Sequence, residues 1–287
     1  MRIAILCYAS VGGSGVVATE LAHALAVRGH DVYVLSRERP FRWRDVAGLS
    51  FVQVQMPDYP LFREPQYLLG VTNSVVQVAR SQPIDIVHAH YAVPHATAAH
   101  LAREMLARGP NARPPRTVAT LHGTDITLVG GGYAAVVGYA IEHADRVTAV
   151  SASLRDDTVR TLGITRAIDV IPNFLDCSEW RPRPDPDLRA RIRGSHQGAA
   201  IVTHVSNFRP VKRVAVVLDV FRRVLEQKNA VLVMLLPQTT TISRPTSLAT
   251  AFNPAGLISR DDPIAKRSPA TMNVSPRWTR ARKSGIR

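Results

Sequence analysis

Cysteines, aromatic residues and long apolar runs are all scarce in this 287-residue sequence. Two cysteines, Cys7 and Cys177, cannot build a disulfide framework. No apolar run approaches the ~18 residues of a membrane span. Residues 1–8 are too short for a signal-peptide core. We therefore expect a cytoplasmic protein with no membrane association.

Positive charge is abundant, because 36 Lys and Arg face 22 Asp and Glu, a formal net charge of +14. Half of this excess lies beyond Leu235, where nine basic residues face two acidic ones. A basic balance is typical of nucleic-acid binders, but this segment has few aromatic residues and no compact basic run. We expect no nucleic-acid partner, and the remaining charge suits a protein whose ligands are anions.

Short apolar runs alternate with segments of helical period over the first 175 residues, which predicts a doubly wound parallel sheet. The pattern also predicts a glycine-rich loop at 130–132 before a helix that ends at His143, and Ser151 as the cap of the next helix. Seven strands are predicted, over residues 2–6, 31–36, 49–55, 83–87, 116–121, 146–150 and 168–171, and the fourth ends at residues 88–91. The fold class is therefore α/β, with a complete N-terminal Rossmann-like domain over 1–175.

A second α/β domain begins after a proline-rich linker over 176–198. Strands are predicted at 199–205 and 230–235, with a helix at 213–227 between them. From 236 to 287 the sequence turns to Thr, Ser, Pro and Arg without a followable period. We expect a partial second domain over 199–235 and a disordered basic tail over 236–287.

A glycine-rich stretch at residues 7–15 (CYASVGGSG) follows the first strand and opens the first helix. Its glycines let a ligand approach the backbone, and the helix start attracts anions, although a plain tight turn explains them equally well. The spacing is not Gly-x-Gly-x-x-Gly, which argues against a nicotinamide or flavin enzyme. Polar residues also follow other strand ends, at 88–95, 120–125 and Asn173, which predicts a site at this edge of the sheet.

Histidines at positions 88, 90 and 95 raise the question of a metal. No cysteine or carboxylate joins them at ligand spacing, so we expect hydrogen-bonding roles, or helix capping near Pro94-His95, and no metal or cofactor. His122 ends a strand beside Gly123. It could be a general base, an oxyanion partner or a satisfied buried histidine, and the residues alone leave these three open.

Two cations, Arg209 and Lys212, precede the helix of the second domain. Two cations beside a helix start suit a diphosphate, by charge-assisted hydrogen bonding. A solvated pair at a helix entry is the equally weighted alternative.

Five motifs together resemble the N-acetylglucosaminyl malate synthase family of bacillithiol biosynthesis, which consists of retaining GT-B glycosyltransferases. The resemblance covers residues 1 to about 235. The motifs are 7–15 (CYASVGGSG), 90–95 (HYAVPH), 121–127 (LHGTDIT), 148–151 (TAVS) and 206–214 (SNFRPVKRV).

The resemblance implies transfer of N-acetylglucosamine from UDP-N-acetylglucosamine to the hydroxyl of L-malate, with retention and without a metal or cofactor. It implies that the first domain binds the acceptor and the second the nucleotide sugar, across a cleft. Acceptor roles fall on Gly13, Ser14, Gly15, Tyr91 and Thr120, the catalytic role on His122, and donor roles on Asn207, Arg209 and Lys212. The sequence leaves the oligomeric state open between a monomer and a homodimer.

After Leu235 the sequence departs from this family. Leu236-Pro237-Gln238 stands where the family has a Gly-x-Gly-Pro turn, and the paired glutamates that grip the donor have no counterpart. We expect a frameshifted or truncated gene whose donor domain is incomplete. The alternatives are a related glycosyltransferase with another acceptor and a non-catalytic remnant that binds a small anion.

Overall fold

A computed structural model describes residues 1–58, 61, 64, 66–108, 112–206, 208–235 and 249–252. The chain divides after Arg181 into two compact units, Met1–Arg181 and Pro182–Arg287, called unit 1 and unit 2 below. The domain limits expected above remain predictions.

Unit 1 contains a seven-stranded parallel sheet with the strand order β3-β2-β1-β4-β5-β6-β7. The predicted bounds of β1, β2 and β5 agree with the structure. The strands are β1 (Arg2–Leu6), β2 (Asp31–Ser36), β3 (Leu49–Gln53), β4 (Ile86–His90), β5 (Arg116–Leu121), β6 (Arg146–Ala149) and β7 (Asp169–Val170).

The predicted start of the fourth strand was wrong by three residues, whereas its predicted end agrees with the structure. The strand was expected to begin at residue 83 and to end at residues 88–91, whereas β4 runs from Ile86 to His90 in the centre of the sheet. Pro83 has no backbone N–H to give to a central strand, so pairing starts later. His88 and His90 lie within the strand, and their rings stack on one face of it at 4.8 Å between centroids, in agreement with the alternation of strand side chains.

Helices cover both faces of this sheet. Because strand side chains alternate, Ile3 and Ile5 pack with α1, while Ala4 and Leu6 belong to the larger cluster on the opposite face. Ser151 caps α6 as predicted, its Oγ accepting the Leu154 N–H at 3.1 Å. The helices are α1 (Ser14–Val27), α2 (Tyr67–Ser81), α3 (Thr97–Leu106), α4 (Gly123–Leu128), α5 (Ala134–Glu142) and α6 (Ala152–Leu162).

The predicted glycine loop at 130–132 is part of a helical run. α4 continues through a wide turn at Val129–Tyr133, where Gly132 adopts φ +89° and redirects the chain into α5. The left-handed conformation costs glycine least, and this permits the change of direction without a loop. By length and composition alone the run Gly123–Glu142 could cross a membrane. Three residues of its α5 part, Val137, Ala140 and Ile141, belong to the core of unit 1.

Unit 2 has a smaller sheet in which β8 (Ala200–Val205) pairs parallel with β9 (Ala230–Leu235). α8 (Val214–Leu225) connects them and buries Phe221 against the sheet. α7 (Pro186–Arg193) lies where only a linker was predicted, because Pro186 suits the first helical turn and Asp185 Oδ1 accepts the Leu188 N–H at 2.8 Å.

One strand of unit 2 corrects the prediction of an unstructured tail. β10 (Ala249–Phe252) pairs antiparallel with β9. Residues 236–248 and 253–287 of that tail lie outside the described residues.

Candidate functional site

The glycine loop between β1 and α1 is held by its own serine. Ser10 Oγ donates to the Gly12 carbonyl at 2.7 Å and accepts the Gly15 N–H at 3.3 Å. A Cβ on Gly15 would stand 2.6 Å from Ser10 Oγ and would overlap the Tyr8 carbonyl oxygen, so no side chain fits there. Gly13 adopts φ +63° and lies in open space. The loop therefore exposes backbone at the start of α1, where an anion is favoured.

Tyr91 joins this loop to the end of β4. Ser14 Oγ donates to the Tyr91 hydroxyl at 2.7 Å, across 77 residues of sequence. Tyr91 has φ +84°, which is strained for a bulky residue, and its N–H donates to the Thr120 carbonyl at 2.9 Å. Three of the predicted acceptor residues, Ser14, Tyr91 and Thr120, are thus directly connected.

Thr120 lies in a row of side chains across three neighbouring strands. Its Oγ1 is 2.7 Å from His88 Nε2 and 2.8 Å from Thr148 Oγ1. His88 is the middle residue of β4, and Thr120 and Thr148 lie in the C-terminal halves of β5 and β6. His88 is therefore engaged in hydrogen bonding, as predicted for these histidines.

His122 lies one residue beyond β5 and forms a buried pair with His90. His90 Nδ1 and His122 Nε2 are 3.1 Å apart, and the two rings stack with centroids 5.4 Å apart. Tyr91 lies against the His122 ring at 4.9 Å between centroids. The predicted catalytic residue thus lies beside the predicted acceptor residues.

Asp125 fixes the backbone at both of these strand ends. It is 1% exposed, and its two carboxylate oxygens accept the N–H groups of Ala92 at 2.8 Å and His122 at 2.7 Å. The chain after β4 and the chain after β5 are therefore held at a set separation. Sequence reasoning missed this role, although the helix-start position of Asp125 in residues 122–125 (HGTD) could have indicated a capping carboxylate.

An aromatic wall made of Tyr8, Tyr67 and His95 lies beside Tyr91. The Tyr8 and Tyr67 rings stack at 5.5 Å, and His95 meets Tyr8 edge-on at 4.6 Å. His95 Nε2 is 3.1 Å from the Tyr67 hydroxyl, and its Nδ1 is 2.6 Å from the His90 carbonyl oxygen. Burial raises the pKa values of both tyrosines, so each keeps its hydroxyl proton. Sequence reasoning did not single out Tyr8 or Tyr67.

His90, His95 and His122 are buried and His88 is half-buried, and all four are neutral in this environment. Burial lowers the pKa values of His88, His95 and His122 to about 4, and burial with neighbouring histidines lowers that of His90 well below its ordinary value. Burial raises the pKa of Asp125 to about 6, against the lowering effect of its backbone hydrogen bonds. The site is therefore a hydrogen-bonding surface with one buried carboxylate.

In unit 2 the predicted donor residues lie on the surface. Arg209 precedes the single turn Pro210–Lys212, and Lys212 lies in it; both are exposed, and Lys212 N donates to the Arg209 carbonyl at 2.8 Å. Arg213 takes φ +49° at the start of α8. Asn207 lies outside the described residues. The two cations therefore share one turn before a helix start.

Comparison with known proteins adds a family and a fold. Glycosyltransferase Family 4 matches residues 11–179. The N-acetyl-alpha-D-glucosaminyl L-malate synthase of Bacillus anthracis is 37% identical over 237 residues, which cover 82% of this chain and 61% of that protein. An alpha-maltose-1-phosphate synthase of Mycolicibacterium smegmatis is 29% identical, over 83% of this chain and 60% of that protein. The chain thus spans about three fifths of these relatives.

Solved structures agree on the fold. A glycosyltransferase from Rickettsia africae superposes with a TM-score of 0.55 at 16% identity, covering 81% of this chain and 59% of that one. HepE from Anabaena, solved in complex with UDP-glucose, gives a TM-score of 0.56 at 17% identity, over 78% of this chain and 57% of that one. The α/β glycosyltransferase fold of GT-B type and the resemblance predicted from the five motifs are confirmed. The chain belongs to Glycosyltransferase Family 4.

Proposed function

We propose that this chain carries the acceptor site of an enzyme that transfers N-acetylglucosamine from UDP-N-acetylglucosamine to L-malate, with retention at the sugar carbon. The observation that carries the proposal is the connected group Ser14, Tyr91, Thr120 and His122 at one edge of the unit 1 sheet. The Bacillus anthracis relative, named for this product, supports the choice of substrates.

The acceptor assignment follows from charge and hydrogen bonding. L-malate is a dianion, and the start of α1 behind Gly13 and Gly15 supplies backbone N–H groups and the positive end of a helix dipole. Ser14 and Tyr91 supply hydroxyl groups beside it. In the proposed site, malate carboxylates bind at the helix start and the malate hydroxyl lies near His122.

The donor assignment rests on Arg209 and Lys212. Both are exposed cations on the turn before α8, a suitable place for a diphosphate. Asn207 belongs to the same proposed group. Their role is to stabilise the charge that develops on UDP as it leaves.

The proposed transfer step needs no protein nucleophile. The bond between the sugar C1 and the β-phosphate oxygen breaks, and a bond between C1 and the malate hydroxyl oxygen forms on the same face. The hydroxyl proton passes to the departing phosphate oxygen. The residues of the chain bind, orient and stabilise charge in this scheme, which is proposed to operate in the cytoplasm.

Product analysis tests the proposal. The protein is incubated with UDP-N-acetylglucosamine and L-malate, and both UDP and glycosyl malate are quantified by mass spectrometry. D-malate, lactate and free sugars serve as competing acceptors. Glycosyl malate formed in preference to the other products supports the proposal, whereas transfer to a different acceptor identifies the related-glycosyltransferase alternative. Malate binding without any UDP release supports the small-anion-binding alternative instead.

A further inference from the structure

The contact between His90 and His122 determines which ring nitrogen of His122 holds a proton. His90 is 1% exposed and His122 is 7% exposed. His90 Nδ1 lies 3.1 Å from His122 Nε2, which is hydrogen-bonding distance for two ring nitrogens. One of the two must donate and the other accept.

Both rings are neutral, so each has one N–H and one lone pair. Their pKa values are lowered by burial, for His122 to about 4. A neutral pair has two arrangements. Either His122 donates from Nε2 to His90, or His90 donates from Nδ1 to His122.

The other nitrogen of His90 distinguishes the two arrangements. His90 Nε2 is buried and has no hydrogen-bond partner within the part of the chain that the structure describes. If His122 donated, the His90 proton would sit on Nε2 as a buried donor with no acceptor. Among buried backbone groups, N–H donors without an acceptor are rarer than acceptors without a donor, and we apply the same preference to this ring nitrogen. If His90 donates, Nε2 holds only a lone pair.

We infer that His90 donates its Nδ1–H to His122 Nε2 and thereby holds His122 in the tautomer protonated at Nδ1. His90 is then a positioning residue. Because Nε2 of His122 accepts the hydrogen bond from His90, the ring atom of His122 that remains for a ligand is Nδ1, which is an N–H donor. It suits an oxygen ligand such as a carboxylate, a sugar hydroxyl or a phosphate.

This tautomer decides among the roles that the sequence leaves open for His122. A base needs a lone pair directed at the proton it removes, and the Nδ1–H tautomer has none at that nitrogen. His122 therefore acts as a hydrogen-bond donor. Its part in sugar transfer rests on the proposed function, but the tautomer itself does not.

Nitrogen NMR of the histidine rings tests the inference directly. The full chain is labelled with ¹⁵N, and long-range ¹H–¹⁵N correlations are recorded at pH 7.5, with His90 and His122 assigned by single substitutions. The inference predicts a protonated Nδ1 and an unprotonated Nε2 for both rings. A protonated Nε2 on His122 would overturn it.

Two substitutions of His90 separate positioning from general structural support. His90→Asn keeps an N–H donor near the position of Nδ1, and His90→Leu removes it. We expect His90→Asn to keep the His122 tautomer and to hold kcat within about fivefold. We expect His90→Leu to shift the His122 nitrogen signals and to lower kcat at least tenfold with less change in KM.

The matched control is His100→Asn on α3, a half-buried histidine whose Nε2 is 3.0 Å from the Tyr139 hydroxyl and which does not contact His122. It should leave the His122 signals and kcat unchanged. Unaltered His122 signals in folded His90→Leu would contradict the inference. If His90→Leu does not fold, the wild-type and His90→Asn spectra still decide the tautomer. If no variant has activity, the proposed function fails, while the nitrogen signals still report on His90.

Discussion

The two units place their candidate residues in opposite surroundings. In unit 1 the predicted residues Ser14, Thr120 and His122 are buried and form hydrogen bonds with residues that are distant in sequence. In unit 2 Arg209 and Lys212 are exposed on one short turn. The contrast teaches that the unit 1 site depends on the integrity of its fold, whereas the unit 2 cations depend mainly on their own charge.

Apolar burial follows the same contrast. Unit 1 buries two large aliphatic clusters on the two faces of its sheet. The described part of unit 2 has one small cluster around Phe221, Ala230, Leu232 and Met234. We therefore expect changes of pH or of buried residues to act strongly on unit 1, and single changes at the unit 2 turn to act on ligand affinity alone.

Acidification should give the largest effect. His88, His95 and His122 have folded pKa values of about 4, below the ordinary 6.5, so the unfolded chain binds more protons between pH 6.5 and 4 and stability falls with pH. Asp125 opposes this, because its raised folded pKa of about 6 makes the folded state take up one proton more readily. The destabilisation from the three histidines is larger than the stabilisation from the one carboxylate. We therefore expect the free energy of unfolding to fall by on the order of 5 kcal/mol between pH 7 and 4.5.

Urea unfolding at a series of pH values, followed by circular dichroism, measures this loss. The midpoint should drop steeply below pH 6.5. A midpoint that is constant from pH 7 to 4.5 would show that these histidines are not held neutral by burial.

Removal of the Asp125 carboxylate should have the second-largest effect on stability. Asp125→Ala leaves two buried N–H groups, those of Ala92 and His122, without acceptors. At ~1–3 kcal/mol for each unsatisfied group, we expect a loss of about 4 kcal/mol in the free energy of unfolding. Urea unfolding at pH 7.5 measures it.

Asp157→Ala is the matched control, since Asp157 is an exposed residue of α6 paired with Arg160. Its substitution should change the free energy of unfolding by less than about 0.5 kcal/mol. If the two substitutions lower the free energy of unfolding equally, the proposed role of Asp125 as acceptor for two buried N–H groups is wrong.

A methyl group on Gly15 should have a smaller effect. In Gly15→Ala the new Cβ would meet the Tyr8 carbonyl oxygen and Ser10 Oγ, so the loop must shift. Overpacking of this kind costs ~1–3 kcal/mol. Gly130→Ala is the control, because nothing lies within 4 Å of its Cβ position. Thermal unfolding of both variants checks the prediction, and an equal melting temperature for the two would count against the close approach at Gly15.

The smallest effect on stability should come from unit 2. Lys212→Ala removes an exposed cation, so the free energy of unfolding should stay within about 0.5 kcal/mol. The lost charge-assisted hydrogen bond should weaken UDP binding about tenfold, equivalent to ~1.4 kcal/mol. Calorimetric titration with UDP measures the affinity, with Lys228→Ala as the control. Unchanged UDP affinity in Lys212→Ala would contradict the proposal that Lys212 binds the diphosphate.

Local sequence signals predicted much of the fold. The strands at residues 2–6 and 116–121 were predicted correctly, because a short apolar run between polar or turn-forming residues is a local feature of the sequence. Ser151 was predicted as a cap for the same reason. α7 was missed because its proline-rich surroundings suggest a linker, although Pro186 at a helix start is itself a helix signal.

The buried site could be predicted only in part. The strand-end rule and the motif resemblance brought Ser14, Tyr91, Thr120 and His122 together, and the structure connects them. The bonds that hold them could not be predicted, because they depend on register across strands. His90 pairs with Thr120 on β5, and this sets the contact of His90 with His122 two residues further on. Such contacts span about 32 residues of sequence and leave no local pattern.

Binding of L-malate by the whole chain tests the central claim most directly. Calorimetric titration should show saturable 1:1 binding in the absence of UDP, because the proposed acceptor site lies in unit 1 alone. The affinity should fall at least tenfold in Tyr91→Phe, which removes the hydroxyl bonded to Ser14, and should be unchanged in Lys212→Ala. Absence of malate binding, or equal affinity in wild type and Tyr91→Phe, would contradict the assignment of the acceptor site to this edge of the sheet.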